Sequence, residues 1–162
     1  MSLSTSFKAL SRQKRSTYQK IGCADKINSK GMSLINKGIQ MIDPTIIIPG
    51  RFYEALEDLY NSPRKKVMDV TITELKRYST TALNFFNEKS AFEAKYIYLY
   101  TTYVLYNDLN TRLRNHDCTY KSLDNTDIKL APFAAVLWSV LYYWPALQKE
   151  RGLTYRGVNI RY

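Results

Sequence analysis

From residue 51 onward, apolar residues recur every three or four positions, in blocks divided by polar or proline-bearing breaks. Phe52, Leu56, Leu59 and Tyr60 predict a short helix that Asn61-Ser62-Pro63 stops. Thr73 reads as the N-cap of the next helix, whose face is marked by Leu75, Tyr78, Ala82, Phe85 and Phe86 as far as Asn87. Ser90 then reads as the cap of a longer helix. Phe92, Tyr96, Leu99, Tyr103, Tyr106, Leu109 and Leu113 follow at steps of three or four and predict one continuous apolar stripe over about six turns. A polar loop is expected from Asn115 to Asp127. Phe133, Val136, Leu137, Val140, Leu141 and Trp144 then predict a buried helix broken by Pro145. Leu99, Tyr103, Val140, Leu141 and Trp144 are the expected core between two packed helices.

The two ends of the chain differ from this middle. Residues 1–50 are rich in Ser, Lys, Asn and Gly, with scattered apolar positions and a β-branched run, Ile46-Ile47-Ile48, between two prolines. They read as a poorly ordered basic leader holding one short helix and one extended piece. After the Arg151-Gly152 turn, residues 153–162 alternate and carry β-formers, which predicts a strand. A lone strand satisfies none of its own backbone groups, so it pairs with another molecule or with chain beyond residue 162.

Charge changes the picture only slightly. There are 24 Lys and Arg against 14 Asp and Glu, a net charge of +10, and 14 tyrosines, a combination that invites a nucleic-acid reading. The densest basic runs, Lys8 to Lys20 and Arg64-Lys65-Lys66, lie apart from the tyrosines, so a solvated basic tail is favoured over a stacking surface. Cys23 and Cys118 with the single His116 give no zinc-ligand spacing. His116-Asp117-Cys118 are adjacent in a loop and do not point at one another, unlike a catalytic Cys–His pair. No apolar run is long enough to span a bilayer, and the polar, basic N-terminus has no secretory pattern, which points to a reduced, cytoplasmic protein.

The order of three segments carries a resemblance. Tyr96 to Asn115 holds Tyr100-Thr101, Leu109-Asn110 and Leu113-Arg114; Ala131 to Leu147 holds Leu141; and Gly152 to Val158 holds Tyr155-Arg156-Gly157. In this order and spacing the chain resembles the N-terminal part of the arginine-specific mono-ADP-ribosyltransferases, over about 70 residues. The resemblance implies an α+β fold: a mainly helical N-terminal part followed at the C-terminus by the first strand of an NAD-binding sheet. Residues 1–50 would be the leader, and 51–162 an incomplete transferase domain.

That family transfers ADP-ribose from NAD to a protein arginine and releases nicotinamide, so NAD and an arginine-containing acceptor protein are the implied partners. Arg156 matches the family's NAD-contacting arginine, and its planar fork of donors suits phosphate oxygens. Gly157 would let the backbone approach the ligand, and Tyr155 completes the cofactor-binding set. By alternation Tyr155 faces away from Arg156, toward a core. The family's Glu-x-Glu pair is absent: the last glutamate is Glu150, before Arg156. Ser4-Thr5-Ser6 spells the family's Ser-Thr-Ser but lies at the opposite end of the chain. No residue of this chain is therefore assigned a catalytic role, and it is expected to be inactive alone. The rival readings are a non-catalytic helical binding module and a basic nucleic-acid-binding domain.

Overall fold

The computed structural model describes residues 29–48, 50–114 and 123–148. Among them are eight helices: α1 (Ser29–Ile42), α2 (Phe52–Tyr60), α3 (Arg64–Tyr78), α4 (Thr80–Asn87), α5 (Phe92–Tyr100), α6 (Tyr106–Leu113), α7 (Asn125–Tyr143) and α8 (Pro145–Gln148). No strand occurs among the described residues, which corrects the α+β expectation: the described body is all-α. That expectation rested on one alternating segment, residues 153–162, and this segment lies outside the described residues. The regular structure among the described residues between 29 and 148 is helical instead.

The centre of the molecule is α7. Leu130 to Leu137 are buried without interruption, so this stretch has no solvent face, and α1, α2, α3 and α5 pack around it. A helix apolar on all sides is one that its neighbours enclose. It starts earlier than expected, inside what the sequence suggested was loop. Asp124 and Asp127 form a reciprocal capping box, with the Asp127 amide donating to Asp124 Oδ1 at 2.7 Å and the Asp124 amide donating to Asp127 Oδ2 at 2.9 Å.

Helix α1 belongs to this core. Leu34, Ile35 and Ile39 are fully buried, and Ile42 nearly so. Its approach to α7 is close because Gly38 has no side chain: a Cβ there would lie 2.0 Å from the Ala131 carbonyl oxygen. Seven residues earlier, a Cβ on Gly31 would lie 3.0 Å from the Leu113 carbonyl oxygen of α6. The short helix expected in a poorly ordered leader is thus a 14-residue packing element.

Two further boundaries differ from the expectation. Thr73 lies inside α3, its hydroxyl donating to the Asp69 carbonyl at 2.8 Å, and the cap of α4 is Ser79, whose Oγ accepts from the Ala82 amide at 3.1 Å. The long stripe from Phe92 to Leu113 is two helices, and the position before α5 is Ala91 rather than Ser90. The break follows from Thr101 and Thr102. Their hydroxyls donate to the Tyr98 and Leu99 carbonyls at 2.7 Å each, and their amides bond the same carbonyls at 3.0 Å, tightening the chain to i→i−3 turns. The stripe is split accordingly. Tyr96, Leu99, Tyr100, Leu109 and Leu113 are buried, whereas Tyr103 is 83% exposed and is not a core residue. Val140 and Leu141 are in the core as expected, and Trp144 is half-buried at the end of α7.

Candidate functional site

The residues that carry the family resemblance fall into two groups. Arg156, Gly157 and Tyr155 lie outside the described residues, as do His116, Asp117, Cys118 and Cys23. Of the described ones, Tyr100, Leu109, Asn110, Leu113 and Leu141 are buried, and Thr101 is exposed. The Tyr100 hydroxyl donates to Asn110 Oδ1 at 2.7 Å across the α5–α6 turn, and the Tyr100 and Tyr106 rings meet at 5.2 Å. A buried polar pair of this kind is costly to leave half-made, so it fixes how α6 leaves the turn. Leu109 and Leu113 then point into the core, with the carbonyl of Leu113 against Gly31. Arg114, next in the motif, is exposed.

Beside this pair lies a charged cluster that the apolar pattern of the sequence does not reveal. Arg112 Nε donates to Asp108 Oδ1 at 2.8 Å, while Nη1 reaches Asp124 Oδ1 at 2.9 Å and Asp127 Oδ1 at 2.8 Å. Asp127 is fully buried, and Asp108 also accepts from the Tyr78 hydroxyl at 2.9 Å. One guanidinium therefore ties α6 to the start of α7, and Asp108 adds α3. Burial works against the charged form of Arg112, but the hydrogen bonds to Asp127, Asp108 and Asp124 outweigh it and hold its pKa above the ordinary arginine value. Burial, aided by Asp108, pushes the Tyr78 phenol up to about 12. The cluster joins both ends of the 115–122 connection. Two local signals are present in the sequence: Asp108 and Arg112 at i, i+4, and the Asp124-x-x-Asp127 cap. Neither reveals that they share one guanidinium.

Two surface depressions lie among the described residues. One is lined by Asp43, Thr45, Ile46, Ile47, Arg51, Glu54 and Asp58. There Asp43 accepts from the Thr45 hydroxyl at 2.6 Å and meets Lys66 at 3.3 Å, and Arg51 pairs with Glu54. The Thr45 hydroxyl is the main cause holding the Asp43 carboxyl below its usual pKa, so it is ionised at neutral pH and accepts protons poorly. A second depression is lined by Met41, Asp69, Val70, Thr73 and Glu74. Among the described residues no group of three or more His, Cys, Asp or Glu side chains is placed to hold a metal ion, and no helix is long and apolar enough to cross a membrane.

Comparison with known proteins adds no further constraint: no family model, no curated protein and no solved structure matches the chain.

Proposed function

We propose that this chain is the helical part of an NAD-dependent protein-arginine mono-ADP-ribosyltransferase, an enzyme that moves ADP-ribose from NAD to a protein arginine and releases nicotinamide. The observation that supports this reading best is the buried Tyr100–Asn110 hydrogen bond. It joins two separated halves of the resembling pattern, Tyr100-Thr101 and Leu109-Asn110, and gives their spacing a physical reason. In this reading the helical body is scaffold, and the chemistry belongs to the segment around Arg156. The Arg156 guanidinium binds a phosphate of NAD through charge-assisted hydrogen bonds, and Gly157 leaves room for the ligand. Bond cleavage at the nicotinamide ribose develops positive charge on the sugar, which a carboxylate stabilises. This chain has no Glu-x-Glu pair, so transfer to the small acceptor agmatine by the 162-residue chain alone is expected to stay at the no-protein level.

NAD affinity, measured by calorimetry on a protein in which this chain continues into the family's Ser-Thr-Ser and Glu-x-Glu segments, and on two variants of it, tests the proposal. Charge-assisted hydrogen bonds contribute roughly 1.5 to 3 kcal/mol, so Arg156→Ala weakens binding about 10- to 150-fold without changing the helical circular-dichroism signal. Arg156→Lys keeps the charge but not the fork and recovers part of the loss. Unchanged NAD affinity in Arg156→Ala overturns the reading.

A further inference from the structure

The break between α5 and α6 has a consequence at the surface. A continuous helix would carry Tyr103 on the buried stripe; the Thr101-Thr102 turn instead delivers it to solvent, the most exposed of the large hydrophobic side chains described. There its ring meets Phe85 of α4 at 6.2 Å and 83°. On Phe85's other contact, Tyr98 of α5 lies at 6.1 Å and 65°. The three rings make an open corner held by edge-to-face packing. Its rim is charged: the Tyr98 hydroxyl donates to Glu88 Oε1 at 2.7 Å, placing a carboxylate beside the rings. A cation already rests on the corner, because Lys89 Nζ stands 4.6 Å from the centre of the Tyr98 ring.

We infer that this corner, Phe85, Tyr98 and Tyr103 with Glu88 at its edge, docks an arginine side chain of a partner polypeptide. The ring faces and the carboxylate both attract positive charge. Lys89 shows that a cation is accepted there, but an ammonium is strongly hydrated and bonds as a point. A guanidinium is more weakly hydrated, stacks flat on an aromatic face and matches a carboxylate with parallel donors, so it displaces Lys89. None of these residues belongs to the segment around Arg156, and the docking rests on the geometry of the corner alone.

A residue-resolved NMR titration of the full chain with N-acetyl-arginine amide, with N-acetyl-lysine amide as comparison, tests it. The arginine probe should shift the ring signals of Phe85, Tyr98 and Tyr103, and the lysine probe should shift them less. An exposed cation–π contact corresponds to about a 2- to 5-fold change in affinity. Tyr103→Leu, which keeps apolar bulk without a π face, should therefore weaken the arginine probe by about that factor. Glu88→Gln should weaken it further. Lys89→Met should tighten it, because it removes the resident competitor. Equal response to the two probes, shifts spread over other acidic surface, or an unchanged affinity in Tyr103→Leu would each overturn the assignment. NAD has no part in this titration, so its outcome is independent of whether the transferase reading holds.

Discussion

Residues 29–42 and residues 92–113 exchange the roles that their sequences suggest. The first segment reads as a scattered, Gly- and Ser-bearing leader, and it is a core helix. The second reads as one long amphipathic helix, and it is two helices with a surface turn between them. In α1 the positions that lower the apolar count are those that let the backbones meet: Gly38 is required by the Ala131 carbonyl, so its lack of a side chain is a packing feature rather than a sign of disorder. In α5 and α6 the apolar spacing is sound on each side, but spacing says nothing about continuity. Two threonine hydroxyls bonding back to the preceding turn decide that. Periodicity reports which residues share a face, and small or hydroxylated residues decide how faces meet and where they stop.

Substitutions in the two segments should separate these roles. The largest effect is expected from Leu34→Ala in α1, since removing a fully buried leucine costs about 2 to 5 kcal/mol through lost transfer energy and a cavity. Chemical denaturation checks it, and a change within experimental error would return α1 to the status of a leader.

Next is Gly38→Ala. Alanine is the better helix former by about 1 kcal/mol, yet its Cβ would collide with the Ala131 carbonyl oxygen and with the Ala135 side chain. Overpacking costs typically about 1 to 3 kcal/mol, and here backbone must move, so a lower melting temperature is expected. A rise in melting temperature would mean that the α1–α7 approach is looser than 2.0 Å implies.

Tyr100→Phe sharpens the account of the turn. It removes the hydroxyl that satisfies buried Asn110 Oδ1, at a cost of about 1 to 3 kcal/mol. Replacing both partners, as in Tyr100→Phe with Asn110→Leu, should recover part of that loss, and a double-mutant cycle measures the coupling. The smallest effect is expected at Tyr103, although it lies on the same sequence stripe as Leu99. Tyr103→Ala should change stability by less than about 0.5 kcal/mol, as exposed positions do. A loss as large as that of a core leucine would restore the continuous helix.

Much of the helical body is legible in the sequence itself. The α2 boundaries follow from Phe52 to Tyr60 and the Asn61-Ser62-Pro63 stop, and the end of α7 follows from Pro145, because these depend on neighbours along the chain. The early start of α7 is not legible in the same way, because Asn125 to Lys129 are mostly polar; their place in the helix comes from a cap and from Arg112, twelve residues before Asp124, not from apolar periodicity. The Arg112 cluster is likewise hidden, since its three aspartates meet only once the fold brings α6 to the start of α7. The NAD-contacting set of Arg156, Gly157 and Tyr155 is legible only through a resemblance, and it lies outside the described residues. The strand alternation of residues 153–162 has no pairing partner in the sequence to support it, and the fold class drawn from it does not hold for the body of the molecule.

Amide hydrogen exchange on the intact chain tests the central point, that α1 is core while the α5–α6 junction is surface turn. Core helices open only with the whole fold, whereas exposed turns exchange through local opening. The amides of Ile35 and Ile39 should be protected as strongly as those of Val136 and Val140 in α7, and the Tyr103 and Val104 amides should exchange far sooner. Rapid exchange at Ile35 and Ile39, together with slow exchange at Tyr103 and Val104, would contradict the account at both segments.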